Sequence, residues 1–190
     1  IGNRWALVFE HVDGTPLNVL MEHHPEKEDE YLNLFVDLQL EIQKRTAPLL
    51  NRLKDKFRRK LNNTNCIEEN TKFDLMQRLE GLENLTQLCH GDFNPSNVII
   101  KEDGSAYIID WSHVTIGSGA ADAARTFLLF SMDGKNELAD KYMKLFAEKS
   151  GIEIRHIQRW VPIVAATQMT KEKPEEREFL SNWINVVDFE

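Results

Sequence analysis

The sequence is short of the features that would place it outside the reducing interior of a cell. It has two cysteines, Cys66 and Cys89, among 190 residues, too few for a disulfide framework or a structural zinc site. The opening IGNRWALVFE has no basic region followed by an apolar one, so no secretory signal is read there. The cysteines are therefore expected to be free thiols, and the location cytoplasmic. No run of about 18 apolar residues exists, which excludes a membrane-spanning helix. Positive charge is also short: 23 Lys and Arg against 31 Asp and Glu leave a net charge of −8, the wrong sign for a general nucleic-acid binder. The first residue is Ile1 rather than Met, which reads as a processed or shortened product. With no repeat, low-complexity stretch or linker, a single domain is expected, large enough to bury a core.

What is present is mostly helical periodicity. Residues 4–10 form a short strand-like run that breaks at the turn signals Asp13-Gly14 and Thr15-Pro16. Tyr31, Phe35, Leu38 and Ile42 make the stripe of a helix with one buried face. Helical character resumes after Pro48 to about Leu61, and a shorter helix is predicted over about 71–82. From about Ala120 three further stripes follow: Leu138, Tyr142 and Leu145; then Ile154, Ile157, Val161 and Val164; then Leu180, Trp183 and Val187. Pro162 is expected to kink or reset the helix around it. Between the helical blocks, Asn97–Lys101 and Ala106–Trp111 are apolar runs of β type joined across Asp103-Gly104, a strong hairpin signal.

The chemistry-bearing segment is Cys89-His90-Gly91-Asp92-Phe93-Asn94-Pro95-Ser96-Asn97, followed by the hairpin ending in Ile109-Asp110-Trp111. Folding the hairpin back returns Asp110 close to Asn97. A carboxylate and an amide oxygen there are hard donors suited to Mg²⁺, which commonly takes one or two carboxylates plus substrate phosphates. Asp92 is then placed to orient an attacking hydroxyl and receive its proton, and phosphoryl transfer asks little more of a protein. The plain alternative is that Asp92 and Asn97 cap their own loop and Asp110 ends a strand in a turn.

The motifs HGDFNPSN (90–97) and YIIDW (107–111) resemble the HGDxxxxN catalytic loop and the following metal motif of the aminoglycoside phosphotransferase and choline kinase superfamily. The spacing also resembles the HRDxxxxN…DFG arrangement of protein kinases. Gly91 in place of Arg, and Trp111-Ser112 in place of Phe-Gly, favour the small-molecule branch. The resemblance extends to LVFEHVDGTPL (7–17), similar to the last N-lobe strand and hinge, and to GSGAADAARTFLL (117–129), similar to the family's G-x-P-x-x-D-L-A segment. In the latter, Gly119 replaces the Pro and Ala123 the Leu. The stretch 159–180 also looks like the end of bacterial members.

The resemblance implies a mainly helical α+β fold, the C-terminal lobe of a protein-kinase-like structure, whose β-hairpin carries the metal site. Residues 1–14 would be the last N-lobe strand and hinge. Residues 15–190 would be the helical lobe, with the catalytic loop at 89–97 and the metal hairpin at 97–111. Asp92 would be the catalytic base and Asn97 and Asp110 the magnesium ligands. The backbone of Glu10, His11 and Val12 would meet adenine, while His90 and Asp122 would support the catalytic loop. The cofactors implied are ATP and Mg²⁺, and the partners are a nucleotide, a small-molecule acceptor of amino-sugar or amino-alcohol type, and an N-terminal lobe not included in these 190 residues. Without that lobe the chain is expected to be inactive by itself. The contrasting reading is a non-catalytic, truncated or pseudokinase binding module.

Other conspicuous residues are given plain roles. RLKDKFRRK (52–60) is expected to be a solvated helix face, and Glu172, Glu175 and Glu176 surface charges. His23-His24 is not expected to form a metal site. Trp5, Trp111, Trp160 and Trp183 are expected to pack in the core rather than form an aromatic box for an amine.

Overall fold

The computed structural model describes residues 10–184. In chain order its first half comprises β1 (Thr15–Pro16), α1 (Leu17–His23), α2 (Glu28–Gln43), α3 (Leu53–Asn63), α4 (Glu69–Gly81) and β2 (Gln87–Cys89). Then follow β3 (Val98–Ile100), β4 (Ala106–Ile108), β5 (Thr115–Gly117), α5 (Gly119–Met132), α6 (Asn136–Ser150), α7 (Ile154–Gln158), α8 (Val161–Met169) and α9 (Pro174–Ile184). The strand-like run at 4–10, with Trp5, falls almost wholly outside the described residues, as does Val187.

The mainly helical α+β fold follows from the stripes. On α2 the buried face is Leu32, Phe35, Val36, Gln39 and Ile42, with Tyr31 and Leu38 packed at its margins. Helix α8 is buried along its whole length, as a helix apolar on every side must be. Pro162 sits in its first turn, where the missing N–H costs no helical bond, so the chain restarts there after α7. Around α8 pack α5, α9 and α3. Ala120, Ala121, Ala123 and Ala124 on α5 are all buried, and their small side chains let neighbouring backbones approach closely.

The expected hairpin forms between β3 and β4, with Val98 opposite Ile108 and Ile100 opposite Ala106, and Gly104 takes φ +80° in its turn. It is not the only β-structure. β1 adds to β3, pairing Thr15 with Ile100, and a second ribbon joins β2 to β5, pairing Cys89 with Thr115. These strands have two or three residues each, too few for alternation to register in a sequence window.

Two expectations about charge need correction. On α3, Leu53, Phe57 and Leu61 face the core, yet Lys54 is buried too. Its Nζ donates to the carbonyls of Glu80 (3.3 Å) and Leu82 (2.9 Å), satisfying acceptors at the C-terminal end of α4. Lys56 and Lys60 are half-buried as well, so 52–60 is not simply a solvated face. Glu176, expected at the surface, instead accepts from Gln168 Nε2 (2.6 Å) and Lys173 Nζ (2.8 Å) with 13% of its side chain exposed. Both cysteines are free; burial pushes the Cys89 thiol up, which keeps it inert.

Candidate functional site

The loop after β2 is held from below by one buried carboxylate. Asp122, in the first turn of α5, accepts from Gly91 N (2.7 Å) through Oδ1 and from His90 N (3.3 Å) through Oδ2. Gln39 of α2 donates to the same Oδ2 (3.3 Å) and accepts from Tyr142 Oη. Thr126, one turn further along α5, donates to Phe93 O (2.8 Å), and the Phe93 ring stacks on Phe35 at 4.4 Å. A network from three helices thus fixes residues 90–93. Buried polar groups that are fully paired specify a single arrangement.

His90 is fully buried. Its Nδ1 accepts from Asp92 N (3.3 Å) and its Nε2 lies 3.0 Å from Ile109 O, a pairing that assigns the proton to Nε2. The imidazole therefore ties the loop to the segment that carries Asp110. Gly91 has φ +81°, and a Cβ there would lie 2.5 Å from His113 O, so the close passage of these two segments requires glycine.

Asp92 follows with 23% of its side chain exposed, and its Oδ1 accepts from Arg125 Nη2 at 3.1 Å. Asn97 Nδ2 donates to Asp92 O (2.9 Å), and among the described residues no hydrogen bond engages its amide oxygen. The backbone brings the hairpin home: Ile109 N donates to Asn97 O (2.9 Å), setting Asp110 one residue beyond the Asn97 contact. Asp110 is exposed and adopts the left-handed conformation, φ 57° and ψ 63°. Asp tolerates this region better than most residues, but at some cost, and such outliers concentrate at functional sites. The side chain and then the backbone N–H of Ser112 hold its carboxyl below the usual carboxylate range.

As a cation site this donor set is partial but suitable. Asn97 offers a carbonyl oxygen, and Asp110 a carboxylate with one oxygen bound to Ser112 N. Among the described residues no cluster of three or more His, Cys, Asp or Glu could enclose a metal. Two hard oxygens with the remainder from water or phosphate is the pattern of Mg²⁺ and not of a closed structural site.

The other predicted residues are placed apart from the loop. Glu10 and His11 are exposed coil and Val12 is partly covered, with His11 Nε2 3.1 Å from Asp13 Oδ1. Among the described residues no hydrogen bond joins them to residues 90–97. The next residues, Asp13–Thr15, line a cleft of ≈ 710 Å³ with Ile100–Asp103. Of the tryptophans, Trp160 is fully buried, whereas Trp111 is 37% exposed and covers His90 at 4.8 Å.

Sequence reasoning missed Gln39, Arg125, Lys56 and Lys60. Gln39 had a signal: it lies four residues after Phe35 and so on the buried face of α2, where a polar residue needs a partner. Arg125 lies three residues after Asp122, one helical turn along, and its pairing with Asp92 is visible only in three dimensions.

The profile of the phosphotransferase enzyme family (APH) matches residues 2–153. Among solved structures, choline kinase LicA from Streptococcus pneumoniae is similar in fold, with a TM-score of 0.54 and 17% identity over 83% of this chain and 62% of that one. LicA in complex with AMP gives a TM-score of 0.53 and 18% identity over 82% of this chain and 61% of that one. The chain thus spans about three-fifths of the length of these structures. Among proteins of curated function, none matches in sequence.

Proposed function

The chain belongs to the phosphotransferase enzyme family, and from that membership we propose that it is the catalytic lobe of an ATP- and Mg²⁺-dependent kinase of a small-molecule hydroxyl. The observation that carries this reading is the convergence of Asp92, Asn97 and Asp110 on one loop–hairpin pair held by Asp122 and His90.

In this reading Asp92 is the catalytic base. Arg125 fixes its Oδ1, so Oδ2 accepts the hydrogen bond of the acceptor hydroxyl and orients its oxygen. That oxygen bonds to the γ-phosphorus as the bond from phosphorus to the β–γ bridging oxygen breaks; the hydroxyl proton passes to Asp92 and ADP leaves. Asn97 and Asp110 are the magnesium ligands, and bound Mg²⁺ would neutralise charge on the phosphate oxygens. His90 and Asp122 keep the loop in register without touching substrate. Glu10, His11 and Val12 present backbone to adenine, and residues outside these 190 supply the lobe that covers the phosphates. The expected strand-and-hinge segment 1–14 lies mostly outside the described residues; in this reading the described part of it, 10–14, belongs to the hinge, and the body of the catalytic lobe begins at residue 15. The AMP bound by the LicA structure supports the nucleotide part. The amino-alcohol expectation is supported only by a fold shared with a choline kinase.

The test is Mg²⁺-dependent phosphotransfer by the full-length protein, run beside Asp92→Ala over a panel of hydroxyl acceptors. Turnover that vanishes in the variant is expected. A folded protein that fails to bind ATP–Mg²⁺ would overturn the reading and leave a binding module.

A further inference from the structure

Next to the loop that carries Asp92, and lined by its neighbour Gly91 and its partner Arg125, lies a narrow cleft between α3, α5 and the end of α8, with a volume of ≈ 40 Å³. That is space for roughly three water-sized atoms, enough for a charged head group but not for a whole sugar. Lys56, Lys60, Arg125 and Lys171 all line it. Within a chain of net charge −8, four cations have been gathered at one point beside the reacting loop.

Their partners do not balance them. Lys56 Nζ donates to His113 O (2.9 Å) and Lys60 Nζ reaches Thr167 O only at 3.4 Å, both neutral acceptors. Among the described residues no carboxylate lies within ion-pair distance of Lys56, Lys60 or Lys171. Arg125 is 9% exposed; its Nη2 is engaged with Asp92, while its Nη1 is buried without any partner among the described residues. Of the nearby acids, Asp122 also lines the cleft but is taken by the loop and Gln39, Asp92 is paired through Oδ1 with Arg125, and Glu176 is held by Gln168 and Lys173. Burial, and then repulsion from Lys56, pushes Lys60 down to about 8. Burial likewise lowers Lys56, Lys171 and the His113 imidazole. Unpaired, partly desolvated like charges destabilise a fold. An anion in the cleft, which the Arg125 side chain lines, would relieve the lysines together through charge-assisted hydrogen bonds.

We propose that this cleft is an acceptor subsite holding an anionic group, a carboxylate or a phosphate, so that the hydroxyl presented to Asp92 belongs to an acid or a phosphate ester rather than to a purely cationic amine. This rests on the phosphotransfer reading of Asp92. The cleft takes the head group, and the hydroxyl-bearing part extends past Gly91 to the Asp92 carboxylate.

Two measurements on the full-length protein test it, each with wild type and the variant Lys60→Met/Lys171→Met. Removing crowded charges does not threaten folding, and both methionines keep the apolar stems. First, melting is followed with inorganic phosphate and, separately, lactate, at constant ionic strength. One of the two should raise Tm saturably in wild type and several-fold less in the variant, and which one does so identifies phosphate or carboxylate. Equal shifts in both proteins, or none, would overturn the anion site. Second, phosphotransfer is compared for a hydroxy acid against its methyl ester, a sugar monophosphate against the free sugar, and an amino alcohol. One anionic acceptor should be preferred over its neutral partner by at least about tenfold in kcat/KM, with the ratio collapsing in the variant. Turnover confined to neutral or amino-alcohol acceptors, and indifferent to the variant, would overturn the acceptor assignment and spare the kinase. Absence of any turnover beside a variant-sensitive phosphate shift would overturn the kinase reading and spare the anion site.

Discussion

Arg125 and Asp92 form an ion pair, Nη2 to Oδ1 3.1 Å, with 11% and 23% of their side chains exposed. Asp122 lies one turn earlier on the same helix and holds the backbone of His90 and Gly91. One face of α5 therefore sets both the path of the loop and the direction of its carboxylate.

Removing the lower of these two supports should cost stability. Asp122→Ala leaves the buried N–H of His90 and the half-buried N–H of Gly91 without their acceptor, a loss of about 3 kcal/mol at ordinary values for charged hydrogen bonds. For a domain of this size that corresponds to a fall in Tm of roughly 10 °C. An unchanged Tm in differential scanning calorimetry would mean that the loop holds itself.

Glycine 91 should tolerate no side chain. Its left-handed backbone alone costs alanine about 1–2 kcal/mol, and the added Cβ would meet His113 O at 2.5 Å. Gly104 has nearly the same φ, +80°, with nothing near its Cβ position. Gly91→Ala is thus expected to lose clearly more stability than Gly104→Ala in denaturant unfolding; equal losses would remove the steric argument.

Lys60 should make stability depend on pH. Its folded value, about 8, lies below the unfolded one, so between about pH 8 and 10.5 the unfolded chain binds more protons and stability rises with pH. Below about pH 8 the charged lysine is a standing burden. Lys60→Met is expected to melt higher than wild type at pH 7, and the gap should narrow as pH rises to 10. A variant that melts lower at pH 7 would contradict this.

On the proposed function, Asp110→Asn should raise the Mg²⁺ concentration needed for half-maximal phosphotransfer, because one anionic oxygen would be lost from the proposed donors. Its Tm should change little, since Asp110 is exposed and its bond to Ser112 N is long at 3.4 Å. A Tm collapse with unaltered Mg²⁺ dependence would mark Asp110 as structural.

How much of this was legible in advance depended on range. The stripes of α2, α6 and α9, the hairpin at Asp103-Gly104 and the Asp92–Asn97–Asp110 spacing all lie within short windows, where helix and strand periods act directly on neighbouring residues. The two- and three-residue strands β1, β2 and β5 carry no period and were invisible. RLKDKFRRK reads as a solvated face in the sequence because composition reports charge, not the carbonyls that Lys54 caps or the cleft that Lys56 and Lys60 line.

The sequence by itself determined the helical lobe and the loop–hairpin that carries Asp92, Asn97 and Asp110, because these are local patterns of spacing and turn chemistry; the family follows from the resemblance of those motifs. Only the tertiary structure decided that Gln39 would meet Asp122 across 83 residues and Arg125 would meet Asp92 across 33. It alone gathered four cations around one cleft. Such contacts form when packing brings distant elements together, and no window along the chain contains both partners.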